Sequence, residues 1–187
     1  MFSKSVQQNI VIISGPSGVG KDTIMEKLSF NNPKVHIAIT ATTRPPRTAE
    51  TNGVNHFFYS KSQFKKIMDN DELLESAFVY NNYYGVPKSE VYNYPSHIIF
   101  IRVDVQGARR LKEILPNSIF VFIMPQSLSD LKLRLQKRHE NSDDDIEKRL
   151  RESKTEINDK EWFDHIIVNK SGHLISSVNK LSKLLGL

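Results

Sequence analysis

One stretch limits what this chain can fold into more than any other. It is Gly15-Pro16-Ser17-Gly18-Val19-Gly20-Lys21-Asp22-Thr23, set between the apolar run Ile10-Val11-Ile12-Ile13 and a helix-like segment from Ile24 to Phe30. Strand, glycine loop and helix in that order make a phosphate-binding loop. Glycines let the backbone wrap an anion with its N–H groups turned inward, and the helix adds its positive N-terminal end. Lys21 supplies a mobile point charge for outer phosphates. The usual pattern places Ser or Thr directly after the lysine, to hold Mg2+. Here that position is Asp22, and the hydroxyl follows at Thr23. An aspartate can bind Mg2+ directly or through water. It can also repel phosphates where no metal intervenes.

The 187 residues suit one domain with a real core. No apolar run reaches the roughly 18 residues of a membrane span, so no membrane association is expected. The N-terminus Met1-Phe2-Ser3-Lys4-Ser5-Val6 lacks a leader-like core. The absence of cysteine excludes disulfides and thiolate metal sites and fits a cytoplasmic location. The formal charge is +5 and the pI about 9.3. A basic balance can signal nucleic acid. The arginines here gather near the phosphate loop and no Lys/Arg tail occurs, so small anions are the expected partners and nucleic acid is not.

Further along, Val35 to Ile39 reads as a second strand and leads into Thr40-Ala41-Thr42-Thr43-Arg44-Pro45-Pro46-Arg47. Two prolines force an extended turn. Arg44 and Arg47 either reach one anionic group together through their guanidinium forks or line a solvated loop. His56 to Tyr59 reads as a strand, and Ser62 to Asp69 as a helix capped by Ser60 or Ser62. Leu73 to Tyr80 reads as another strand, followed by a turn at Asn81-Asn82. Glu75 within it is either a solvent-facing residue of an alternating strand or an acceptor for the N–H groups of a base. Tyr84 either donates to a phosphate or packs.

His97 to Val103 and Ile119 to Met124 are near-continuous apolar runs of the kind that form buried parallel strands. Asp104 ends the first of them, at the edge where open α/β sheets bind ligands. A helix follows from Gln106-Gly107. The next helix, from about Ser127, carries Arg134 and Arg138 on one face. Ser142-Asp143-Asp144-Asp145 resembles a capped start for a helix bearing Arg149. Asp145 and Arg149 are spaced for an ordinary surface pair, yet Arg138 and Arg149 also flank a short polar connection suited to an arginine-bearing lid. Ile166-Ile167-Val168 is a last strand ended by Asn169, and Leu174 to Leu185 is a closing amphipathic helix. Alternating strands and helices predict an α/β fold with a parallel sheet. The segment from about Thr40 to Lys88 carries too many strand signals for a simple crossover and reads as an inserted lobe.

Five motifs in this order resemble the guanylate kinase family over nearly the whole chain. They are Gly15-Pro16-Ser17-Gly18-x-Gly20-Lys21, Thr42-Thr43-Arg44-x-Pro46-Arg47 with Glu50 and Gly53, Asn82-Tyr83-Tyr84-Gly85, Val103-Asp104-x-Gln106-Gly107, and Ile167-Val168-Asn169. The resemblance implies a P-loop NTPase three-layer fold with a central parallel sheet. It implies a core over about 1–38, 90–133 and 158–187, an NMP-binding lobe over about 39–89, and a short helical lid over about 134–157. The implied activity is transfer of the γ-phosphoryl group of ATP to GMP, and to dGMP alongside it, with Mg2+, in a monomer or homodimer. Lys21 and the loop from Gly15 to Thr23 would cradle ATP, with Arg134 and Asn169 beside it. Arg44, Arg47, His56 and Tyr84 would hold the GMP phosphate, and Glu75, Asp104 and Thr40 would read guanine. Lys21, Arg44, Arg138 and Arg149 would carry catalysis, with Asp22 as the metal contact.

Three positions depart from the family pattern. Asp22 stands for a hydroxyl residue. His56 stands for a tyrosine, which predicts that GMP affinity falls as pH rises past about 6.5. Arg102 stands where an acid is usual, and either adds positive charge near the phosphates or pairs with Asp22. A ribose 1,5-bisphosphate kinase shares Gly-Lys-Asp after its glycine loop and is the nearest rival. A non-catalytic guanylate-kinase-like binding module is the rival of another class.

Overall fold

The computed structural model describes residues 9–79, 81–95, 97–137 and 143–187. Its centre is β1 (Ile10–Ser14), every residue of which is buried. β1 lies between β7 (Ile98–Arg102) and β8 (Ile119–Pro125), with β2 (Val35–Ile37) and β9 (His165–Asn169) outside them. All four pairings are parallel.

Alternation along β1 divides the core. Val11 and Ile13 face a cluster built with Ile24, Met25 and Leu28 of α1 (Lys21–Asn31) and Val178 and Leu181 of α7 (Leu174–Leu185). Ile10 and Ile12 face the other way, onto Ala108 and Leu111 of α4 (Val105–Ile114) and onto Phe163. A sheet apolar on both faces must be covered on both faces. The three layers follow from that, each buried Ile or Leu contributing about 1.5–3 kcal/mol.

Four strands between residues 41 and 87 form a second sheet in the order β4-β3-β6-β5. β3 (Ala41–Thr42) pairs parallel with β4 (Phe57–Phe58) and antiparallel with β6 (Asn82–Pro87), which pairs antiparallel with β5 (Leu73–Val79). α2 (Lys61–Asp69) buries Phe64 and starts with a full capping box between Ser60 and Gln63. A buried carboxylate, Glu90 of α3 (Ser89–Tyr92), accepts from Ile39 N at 2.9 Å and meets His36 Nε2 at 3.0 Å. The diversion of Ile39 N to this side chain ends β2 at Ile37, two residues short of the predicted strand.

α5 (Leu128–Gln136) is capped by Ser127, which accepts from Asp130 N. It ends before Arg138, which lies outside the described residues, as does the cap predicted at Ser142. α6 (Asp143–Asn158) then runs into a 3-10 turn at Asp159–Trp162. Among the described residues no helix is long and apolar enough to cross a membrane.

Candidate active site

A cleft of about 340 Å³ opens between the C-terminal ends of the parallel strands, the second sheet and α6. On one wall β1 breaks at Gly15, whose φ is +134°. A Cβ there would stand 2.0 Å from the carbonyl oxygen of Ile123 on β8. Gly15→Ala therefore combines backbone strain with overpacking, each costing about 1–3 kcal/mol. Thermal unfolding of that variant is expected about 10 °C below the parent.

The loop then turns through Val19 N to Pro16 O and delivers Lys21 to the first turn of α1. Lys21 Nζ donates to the carbonyls of Gly15 at 2.5 Å and Pro16 at 3.0 Å. Behind the loop, Asn169 Nδ2 donates to Val19 O at 2.8 Å, while Ser177 fixes its other end. Arg134 donates to the same Val19 carbonyl at 2.9 Å and to Asn169 O at 2.6 Å. These two predicted ATP residues thus brace the loop from outside. Arg149 of α6 reaches in from the other side, its Nη1 donating to Ser17 Oγ at 2.8 Å.

The same cleft holds two carboxylates, Glu75 buried and Asp104 half-buried. Glu75 was open to a solvent-facing reading, and the structure overturns it. The side chain is 2% exposed, while Phe78 on the same strand faces outward. A register irregularity separates Leu73 from Glu75, and beyond it the buried residues of β5 are Glu75 and Ala77. Burial, reinforced by Asp104, raises the Glu75 carboxyl to about 7, with Arg110 opposing from 3.1 Å. Asp104 caps α4, accepting from Gly107 N at 2.7 Å, and burial raises it as well. Both carboxylates converge over Gly107, where a Cβ would lie 2.9 Å from Glu75 Oε1 and 3.1 Å from Asp104 Oδ1.

Basic residues line the cleft as well. Arg44 forms a two-pronged pair with Glu50, at 2.7 and 2.9 Å, and Arg47 N donates to the same carboxylate at 2.8 Å. Burial works against ionisation of Glu50, but those bonds prevail and hold it at about 2. Tyr84 lines the cleft beside them.

The two alternatives for Arg102 resolve into a pairing: its Nη1 contacts Asp22 Oδ1. Its Nη2 lies 3.2 Å from His56 Nε2, and His56 Nδ1 lies 2.8 Å from Thr40 Oγ1. Burial, Arg102 and Arg44 lower the His56 pKa to about 4. The predicted loss of affinity above pH 6.5 is therefore corrected. The ring is already neutral there, because a buried imidazole facing two guanidinium groups does not keep a proton.

Of the cleft residues that the sequence reading did not single out, the most strongly perturbed is an acid. Glu156 of α6 lines the cleft, raised to about 7 by burial, with Lys21 opposing and Asp104 and Glu152 adding. Its signal was its place seven residues after Arg149, on the same helical face.

The family model described as Guanylate kinase matches residues 7–185. A guanylate kinase of Carboxydothermus hydrogenoformans is 40% identical over 178 residues, covering 94% of this chain and 86% of that protein. One from Clostridioides difficile is 36% identical over 185 residues, covering 93% and 90%. The crystal structure of guanylate kinase from Anaplasma phagocytophilum superposes with a TM-score of 0.73 at 27% identity, covering 95% of this chain and 84% of that one. A shikimate kinase from Bacteroides thetaiotaomicron, 12% identical with a TM-score of 0.53, shares the fold alone. A phosphate loop and two converging carboxylates lining one cleft, and a family match over nearly every residue, lead to one conclusion: the chain belongs to the guanylate kinase family.

Proposed function

We propose that this cleft transfers the γ-phosphoryl group of ATP to GMP, giving ADP and GDP, and that the residues described above carry the reaction. The observation that supports it most is the pair Glu75, buried, and Asp104, half-buried, which converge over Gly107 in the same cleft as Lys21. Guanine presents N1–H and an exocyclic amine, and ionised carboxylates only accept. Adenine would leave them unmatched, and buried hydrogen-bonding sites discriminate by about 10⁴ or more on that ground.

Lys21 exchanges its loop carbonyls for the outer phosphates of ATP. Arg44, Arg47 and Tyr84 hold the acceptor phosphate. Arg149 stands at the loop where charge develops during transfer. In-line transfer asks for positioning and charge neutralisation rather than a covalent intermediate. Mg2+ neutralises phosphate charge when bound. Among the described residues no cluster of three or more His, Cys, Asp or Glu side chains could hold a metal by itself. Asp22, directly after Lys21, would be the protein carboxylate for an ion that brings water and phosphate as most of its ligands.

An ADP-release assay offering GMP, AMP and ribose 1,5-bisphosphate separately tests the reading. Turnover is expected with GMP and at least about 10³-fold less with AMP. Turnover confined to the sugar phosphate overturns it in favour of the ribose 1,5-bisphosphate kinase. GMP binding without any turnover leaves the binding module.

A further inference from the structure

His56 sits on the acceptor side of the cleft, where a donor to the phosphate is wanted, yet its ring has nothing to donate. Its Nε2 faces Arg102 Nη2 at 3.2 Å. A guanidinium has only donors, so Nε2 must accept. The ring's single proton is then on Nδ1, given to Thr40 Oγ1 at 2.8 Å. Both residues are buried, so neither nitrogen has another outlet.

The cation on this wall is Arg102. The β1–β7 register sets it opposite Ile13, one residue before β1 ends, so its side chain stands beside the phosphate loop. Asp22, directly after Lys21, holds the Nη1 edge. Nη2 spans the gap to the second sheet, 3.3 Å from Asn55 O and 3.5 Å from Thr40 Oγ1, and the side chain lines the cleft. One guanidinium thus touches the loop that takes one phosphate chain and the wall that faces the other.

We infer that Arg102, and not His56, is the group that donates to the acceptor's phosphate from this wall, with Asp22 aiming it. The three departures then compensate one another. The aspartate after the lysine is the anchor that a guanidinium at position 102 needs, and the arginine supplies the donor that the histidine lacks. This rests on the reading of the cleft as a GMP kinase.

The test compares GMP, by calorimetry, with guanosine, by ligand-observed NMR, in the absence of ATP and metal. The readout is the ratio of the two affinities, which isolates the phosphate. Arg102→Met is expected to lower that ratio about 10- to 100-fold, the loss of a charge-assisted bond. His56→Phe is expected to leave it within about threefold, because a fold-wide disturbance weakens both ligands alike. Arg102→Lys keeps a cation for Asp22 but loses the fork, and is expected to lower the ratio by roughly three- to tenfold. It serves as the test if the methionine variant does not fold. An unchanged ratio in the Arg102 variants, or an equal loss in His56→Phe, overturns the inference. A parent protein that binds neither ligand sinks instead the reading of the cleft.

Discussion

Arg149→Met is expected to slow phosphoryl transfer by about 10³–10⁵, the range for arginines that neutralise a migrating phosphoryl group. Binding of ATP alone is expected to change by less than about tenfold. The distinction lies in where the guanidinium acts. It meets the loop at Ser17 Oγ and lines the cleft that both substrates would share, so it adds most to the state in which charge spreads between them. Rapid-quench measurement of a single turnover separates this effect from product release. A rate within about tenfold of the parent would show that Arg149 merely tethers α6.

Glu75→Gln is expected to reduce kcat/KM for GMP by about 10³-fold or more while changing the trace activity toward AMP little. The amide replaces one acceptor with a donor that meets the N–H groups of guanine head on. The parent's pH dependence follows from the same carboxyl. It must be ionised to accept both bonds, and its pKa is about 7. Guanosine affinity is therefore expected to rise as the pH climbs from 6 to 8 and then level off; the nucleoside avoids the phosphate's own titration. Stability moves the opposite way. Glu75 and Glu156 both titrate near 7 in the folded chain against an ordinary 4.5. Folding takes up protons at these sites, so the stability they contribute is complete below about 4.5 and is lost as the pH rises through 7. A melting temperature that increases across pH 6 to 8, or guanosine affinity that is flat there in the parent and matches that of Glu75→Gln, would refute the assignment.

The central layer was legible because local patterns sufficed for it. Apolar runs at residues 10, 98 and 119 and the glycine loop each declare themselves within about ten residues. The helix after the loop was placed three residues late, because Lys21 and Asp22 look like loop chemistry although the backbone has already turned helical. What the sequence left open depends on partners far along the chain. Glu75 carried two readings, a solvent-facing strand residue or an acceptor for a base, and its burial beside Ala77 excludes the first. His56 looked like a switch near neutral pH, and only the approach of Arg102 and Arg44 removes its proton. Asp22 and Arg102 are 80 residues apart, a pairing that no local pattern announces. Arg149 carried two readings of equal local merit, and the reach to Ser17, across 132 residues, places it in the cleft.

Lys21 resting on the carbonyls of Gly15 and Pro16 has a consequence for how tightly the loop fills. A phosphate oxygen that takes the ammonium must draw it away from two good acceptors. A triphosphate offers several oxygens at once and offsets that loss through the main-chain amides. The strength of nucleotide capture is therefore the difference between two satisfied arrangements, smaller than a count of contacts in the filled loop would suggest.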